Sequence, residues 1–506
     1  MTEAMTEAMT EAMTEALLLP LLVLWPLVVG LGVYALPERA SAALQVLGTL
    51  VLAGLIATVF ATMLASPEPL RAALGGWAAP LGIELVADRL AQAMLLLTLL
   101  VYAAVLLYAQ AYFAHGSEAA QRFWPLAWML WAGLNAGYLS ADLFNLYVAL
   151  ELVGLAAVGL TALTGQSTAL AAALRYLLAA LLASNLFLLA VVLLYAATGS
   201  LALDSIGAHL AAVGTTPWYA KLALALVLVS LALKTALAPL HFWLPAAHGN
   251  AVTPVSALLS ALVLKVSLLI FLRLWLEFAP ALDLAALGLL LALLGLLASV
   301  WGSVLALTQR KIKMLIAYSS VAQVGYLFLP FAWLLPGGLG AALALEATVL
   351  HLLAHALAKA AMFLAAGVLV LSAGRDDLVS LRGAVAREPL AFAALTLAGV
   401  SLIGLPPSLG FAAKWQMMQA ALLADQWPWL LWLLGGTLLT AAYVFRVLRL
   451  AFLPTPEAFE ARAPLPQRLS LCALALALLA ALGGFGAAAL SDWLAAETLL
   501  WPGSGA

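Results

Sequence analysis

Long apolar runs constrain this chain more than any other feature of it. A bilayer core of about 30 Å is crossed by a helix of about 20 predominantly apolar residues. Such runs recur near residues 17–36, 43–65, 90–112, 123–140, 142–164, 169–197, 218–240, 253–276, 284–308, 314–334, 341–372, 390–424, 428–452 and 468–491. The expected fold is therefore an all-α polytopic membrane protein of about fourteen spans, with the 390–424 run broken. Composition agrees: 66% of residues are hydrophobic, only 9% are charged, and the mean hydropathy is +1.13. Soluble domains carry about 25% charged residues.

Whole classes of function fall away at this stage. A net charge of −2 with no basic patch argues against nucleic-acid binding. The single cysteine, Cys472, cannot hold an iron–sulfur cluster or form an internal disulfide, and no glycine-rich phosphate loop is present, so no cofactor is expected. The first sixteen residues repeat MTEA four times, placing Glu3, Glu7, Glu11 and Glu15 at i, i+4. Like charges at that spacing oppose an isolated helix, and no basic residue marks a signal peptide, so 1–16 reads as a low-complexity tail. Residues 17–506 then form one transmembrane domain.

Orientation follows from lysine and arginine. With the N-terminus outside, the inner loops hold thirteen of them: Arg39, Arg122, Arg175, Arg310, Lys311, Lys313, Arg375, Arg382, Arg387, Arg446, Arg449, Arg462 and Arg468. The outer loops hold four: Arg71, Arg89, Lys221 and Arg273. Both termini are thus expected outside. The other four, Lys234, Lys265, Lys359 and Lys414, fall inside spans.

An ionised lysine at a helix centre costs roughly 2.5–3.5 kcal/mol on insertion scales, so four of them need an explanation. Between Lys234 and Lys265, Pro239, Pro245 and Pro254 each remove a backbone donor, and His241, His248 and Asn250 add polar side chains. A broken span beside ionisable groups points to a transport site. Glu151 lies nine residues beyond Asp142, about 13 Å deeper and on the opposite helix face, so the two do not form an acid/base pair. His351, His355 and Lys359 recur at i, i+4, i+8 and make one polar stripe suited to proton relay. A metal reading of that stripe lacks a third ligand at suitable spacing. Pro406 and Pro407 break a second span just before Lys414. The two breaks are five spans apart, which implies inverted halves, a first repeat near 123–276 and a second near 284–452. Asp376 and Asp377, among arginines, read as a solvated loop.

The stretches DLFNLYVALE, LKTALAPLHFWLP, VTPVSALLSALVLK, RKIKMLIAYSSVAQVGYLFL, HALAKAAMFL and GLPPSLGFAAKW, spread over residues 142–414, resemble the antiporter-like subunits shared by Mrp multisubunit cation/proton antiporters and respiratory complex I. LFNLYV before the glutamate and TPVSAL before a lysine look most like the Mrp D subunit. The resemblance implies a proton-translocating subunit that works with other membrane subunits and exchanges protons for Na+ or another monovalent cation, in a bacterial plasma membrane. It further implies that Glu151 and Lys234 form the coupled pair at the start of the path, that Lys265 is the central transfer residue and Lys414 the last, and that His351 and His355 lie on the axis between. Lys359, His241 and His248 join them as candidates.

Energetics point the same way. Four buried lysines and one glutamate, all ionised, would carry a net +3, at roughly 3 kcal/mol or more for each uncompensated charge, so they are not all charged at once. The alternatives are a proton-pumping subunit of complex I or of a membrane-bound hydrogenase, a polytopic membrane transferase, or an inert scaffold. The transferase needs a large polar loop that is missing, and the scaffold has no use for so many ionisable groups at depth.

Overall fold

In the computed structural model, residues 2–65, 68–77, 82–114, 116–213, 217–278, 282–335, 340–454 and 464–498 are described. Helices dominate: α1 (Thr2–Ala35), α2 (Glu38–Ala65), α3 (Arg89–Tyr112), α4 (Glu118–Leu139), α5 (Leu143–Thr161), α6 (Ser167–Thr198), α7 (Leu203–Ala212), α8 (Trp218–Lys234), α9 (Leu244–Asn250), α10 (Thr253–Leu258) and α11 (Leu264–Phe278). They continue with α12 (Ala285–Thr308), α13 (Ile312–Phe328), α14 (Ala341–Ala373), α15 (Ala384–Arg387), α16 (Pro389–Ile403), α17 (Leu409–Leu423), α18 (Pro428–Ala451), α19 (Gln467–Leu482) and α20 (Ala487–Thr498). Among the described residues, eleven helical stretches are long and apolar enough to cross a membrane. The expected fourteen are reached with α4 and the two broken crossings, α8–α9 and α16–α17.

Burial sorts the crossings into layers. The stretch Thr253–Phe278 is buried over its whole apolar window, and α13 and α14 are buried over most of theirs. By contrast α1, α2, α6, α12 and α18 turn leucines outward, among them Leu31, Leu50, Leu178, Leu290 and Leu438. The ionisable groups of α11 and α14 therefore lie on central helices, behind a belt whose apolar face suits lipid.

Each break has a local cause. The 218–240 run does not stay helical to its end: α8 stops at Lys234, and Ala236 takes a left-handed φ of 57°. Trp243 then donates from Nε1 to the Leu233 carbonyl at 2.9 Å and stacks on Tyr176 with ring centroids 4.3 Å apart, pinning the irregular segment. In the second break α16 ends at Ile403, Gly404 adopts φ 86°, and Ser408 caps α17 by accepting from Phe411 N at 3.1 Å. A π-helical turn, Leu259–Val263, separates α10 from α11, so the expected 253–276 helix is one crossing with altered register. Pro254 stands in the first turn of α10, where its missing N–H is harmless, so it starts a helix rather than breaking one.

Three further findings depart from the sequence expectations. The MTEA stretch is helical from Thr2 and runs into α1 without interruption. Glutamate repulsion of a few tenths of a kcal/mol opposes an isolated helix, but this one is nucleated by the crossing it extends. A two-stranded antiparallel hairpin, β1 (Leu70–Ala73) and β2 (Glu84–Ala87), follows α2, with Leu70 opposite Ala87. It carries an Arg71–Glu84 ion pair at 3.1 Å and leads into Asp88, which caps α3 and holds Arg273 at 2.5 Å. Arg273, an outer-loop charge by its sequence position, is therefore a paired residue at the end of the central crossing. The Asp376–Asp377 loop is ordered: Asp377 caps a short 3-10 turn and pairs with Arg375, and Asp376 accepts from Lys313 N at 3.3 Å. Burial pushes the Asp376 carboxyl up from its ordinary range, against the pull of the Lys313 ammonium.

Close helix contact, with no hydrophobic drive between helices in lipid, needs small residues. A Cβ on Gly325 of α13 would stand 2.3 Å from the Gly295 carbonyl oxygen of α12, whereas one on Gly435 of α18 meets nothing within 4 Å. Gly325→Ala is expected to cost about 1–3 kcal/mol by overpacking and to lower the unfolding midpoint in detergent. Gly435→Ala, which only gains helix propensity, should not lower it, and an equal fall in the two variants would refute this account of the α12–α13 contact.

Candidate functional site

At one side of the protein, α5, α6 and the end of α8 bring three polar side chains together. Glu151 accepts a hydrogen bond from the Ser184 hydroxyl, and Lys234 Nζ donates to that same hydroxyl oxygen at 2.9 Å. The ammonium is 3.8 Å from the carboxylate, with the Lys234 side chain 8% exposed and that of Glu151 26%. Ser184 therefore bridges the two, accepting from the lysine and donating to the glutamate. At an effective dielectric of about 20, charges at this distance attract by about 4 kcal/mol, and the partial exposure of Glu151 reduces it. That is close to the cost of one buried lysine charge.

Inward of Lys234, a cavity of about 20 Å³ reaches Ser267 on the central crossing and is large enough for one water. Lys265, on the same crossing as Ser267, is fully buried, its Nζ donating to the Ser260 carbonyl in the π-helical turn. Ser260 Oγ meets Ser320 Oγ of α13 at 3.0 Å. Lys359 of α14 donates to the Ile316 carbonyl at 3.0 Å and to the Ser319 hydroxyl. Among the described residues no carboxylate lies within ion-pair distance of Lys265, Lys359 or Lys414. Carbonyls and hydroxyls satisfy the amines without fixing a charge on them.

The histidines fill the space between. His248 on α9, and His351 and His355 on α14, are buried; among the described residues the ring nitrogens of His248 and His355 have no hydrogen-bond partner, and His351 reaches the Gln323 backbone. His355 is within electrostatic reach of Lys265, Lys359, His248 and His351, and His351 within reach of Lys414. The His351 and His355 rings are 6.3 Å apart, and His351 is 5.6 Å from Tyr326. Over that tyrosine ring, at 4.4 Å, stands Lys414 Nζ. It donates to the carbonyls of Leu402 and Ile403 at 3.0 and 3.1 Å, and reaches Thr437 Oγ1 at 3.4 Å.

The two breaks thus correspond more closely than their sequences imply. Lys234 precedes its prolines and Lys414 follows its own, yet both amines belong to the C-terminal end of a first half-helix, where the dipole favours positive charge. His241 behaves differently. It is half-buried on the α8–α9 break, between an exposed Pro239 and an exposed Phe242, and among the described residues it makes no hydrogen bond to the row.

Several members of the row carry little signal in the sequence. Ser184 is a lone hydroxyl in the apolar run LLASNLFLL, and a serine at membrane depth facing a glutamate is the only sign of it. Lys313 has the sequence position of an inner-loop charge beside Arg310 and Lys311. It is 7% exposed, its Nζ donates to the Ala251 carbonyl at the end of α9, and it lies within electrostatic reach of His248. Tyr326 and the Ser319–Ser320 pair sit inside one of the motif stretches, but only packing reveals which side chain they meet.

Comparison with known proteins places this arrangement. Residues 140–440, which contain the whole row, match the family model described as NADH:quinone oxidoreductase/Mrp antiporter, TM. The chain is 38% identical over 417 residues to the N subunit of the NADH-quinone oxidoreductase of Desulforudis audaxviator, covering 81% of each chain. It is 29% identical over 474 residues to the D subunit of the Na(+)/H(+) antiporter of Bacillus subtilis, covering 91% of this chain and 92% of that one. A chain in the structure of the Mrp complex from Dietzia sp. superimposes with a TM-score of 0.86 at 26% identity, over 96% of this chain and 97% of that one. This polytopic helical chain, with its two broken crossings and central row of lysines and histidines, therefore belongs to the NADH:quinone oxidoreductase/Mrp antiporter family of membrane proteins.

Proposed function

We propose that this protein is the proton-translocating subunit of a multisubunit cation/proton antiporter, of the Mrp D type, in a bacterial plasma membrane with both termini outside. The observation that carries the reading is the Glu151–Ser184–Lys234 relay at the head of a buried row that ends at Lys414. When Glu151 is ionised, Lys234 keeps its proton. Protonation of Glu151, or movement of its carboxylate, removes about 4 kcal/mol of attraction and leaves an unpaired ammonium at depth. That proton is then released inward, past Ser267, to Lys265, and from there through His355 and His351 to Lys414. The lysines without carboxylate partners pass protons on rather than store them. Movement of Na+ or another monovalent cation in the opposite direction is coupled elsewhere in the assembly.

Partner subunits are supported by where the relay sits. Glu151 remains partly exposed at membrane depth, on a face that also shows Leu155 and Leu182, and a carboxylate is costly against lipid. A neighbouring membrane protein covering that face removes the cost. A second reading, a proton-pumping component of a complex I-type assembly, rests on the 38% identity to an NADH-quinone oxidoreductase component. The proteins that copurify after mild solubilisation separate the two.

In vesicles carrying the assembled complex, Glu151→Ala and Lys234→Ala should each abolish proton/cation exchange while the protein remains inserted; exchange at the wild-type rate in either would sink the relay. Ser184→Ala removes a charge-assisted hydrogen bond of about 1.5–3 kcal/mol and should slow exchange on the order of tenfold or more. Arginine keeps its charge but does not deprotonate. Lys265→Arg and Lys414→Arg are therefore expected to assemble normally and to transport nothing, and transport in these variants would make the two lysines architectural.

A further inference from the structure

Away from the proton row, the inner ends of α1, α3 and α5 and the starts of α2, α4 and α19 line an open cavity of about 1500 Å³. Its walls are apolar, with Phe113, Trp124 and Leu163 among them, and its rim carries Arg39, Arg122 and Arg468. Arg122 pairs with Glu118, and Glu38, also on the rim, accepts from Gly116 N at 3.2 Å. For Arg39 and Arg468, no carboxylate lies within ion-pair distance among the described residues. Deeper in, Gln45 lines the space. It is 4% exposed, its Nε2 contacts Ser41 Oγ at 3.4 Å, and its Oε1 has no hydrogen-bond partner among the described residues.

A buried amide with an open polar atom is a standing cost unless something in the cavity meets it. The volume exceeds the roughly 300–1,000 Å³ of small-molecule pockets. Its polarity is graded along the membrane normal: charged side chains of both signs and the amides of Gln110 and Gln121 gather at the helix ends, while Gln45 stands about 10 Å further in. Guanidinium groups bind phosphate through paired N–H donors. A half-turn of the Gln45 amide lets Oε1 accept from the Ser41 hydroxyl and turns its N–H donors to the cavity, where an ester carbonyl accepts. We infer that this cavity is a binding site for one diacyl glycerophospholipid, its phosphate between Arg39 and Arg468, its ester region at Gln45 and its chains along the apolar walls. A free phosphate would use the rim and leave Gln45 and the walls unused.

The test is native mass spectrometry of the full chain within its complex, delipidated and then titrated with phosphatidylglycerol, phosphatidylethanolamine or inorganic phosphate. One phospholipid per chain should survive detergent washing, and inorganic phosphate should not displace it. Combined Arg39→Gln and Arg468→Gln should lower occupancy about tenfold, as should Gln45→Leu, while Arg175→Gln, an exposed arginine outside the cavity, should change nothing. Unchanged occupancy in both the arginine and the Gln45 variants overturns the site, as does cross-linking of a Gln45→Cys variant to a partner protein rather than to a lipid. Proton exchange by the assembled complex is read separately, so failure here leaves the proton row untouched.

Discussion

A polar group in hydrocarbon has no water to fall back on, and most of this structure can be read as a consequence. Backbone N–H and C=O groups must be paired within the chain, so any interruption of a helix frees carbonyls that need a donor. The chain supplies lysines. Lys414 meets the carbonyls of Leu402 and Ile403 at the end of α16, Lys265 meets Ser260 in the π-helical turn and Lys313 meets Ala251 at the end of α9, whereas Lys359 meets Ile316 within the unbroken α13. Each amine and each loose carbonyl solves the other's problem. A neutral carbonyl accepts from an ammonium and from an amine alike, so these contacts hold the side chain in place in either protonation state. A carboxylate would favour the ammonium; among the described residues the one carboxylate that pairs with a lysine of the row is Glu151, at Lys234.

The breaks and the row are therefore one construction. Irregular backbone at membrane depth is tolerated where protein buries it, and here it also provides the acceptors that keep buried amines in position. The half-helix ends add a dipole of the favourable sign, worth about 0.3–1 kcal/mol, which is too small to trap a proton but enough to bias its site. The buried histidines His248, His351 and His355 stand within electrostatic reach of these amines.

The sequence displayed the crossings plainly because apolar runs of bilayer length have few other uses, and it displayed Lys234, Lys265, Lys359, Lys414 and Glu151 because charge inside such a run is rare. What it hid were contacts set by helix rotation and by proximity between distant segments. Ser184 is ordinary until α6 turns it toward Glu151, and Lys313 looks like loop charge until α13 begins one residue before it. The hairpin at Leu70–Ala87 is hard to see in sequence because its strands are four residues each and lie between apolar runs that dominate any hydropathy reading. The correspondence of Lys234 with Lys414 is obscured because equivalence in space arises from opposite sides of a break in the chain.

Ser184 imposes one consequence of its own. A hydroxyl carries a single hydrogen, and here it points at Glu151 while the oxygen receives the Lys234 ammonium. With its one hydrogen committed to the carboxylate and its oxygen to the ammonium, the hydroxyl ties the two charged side chains into one unit, so that neither shifts without disturbing the other.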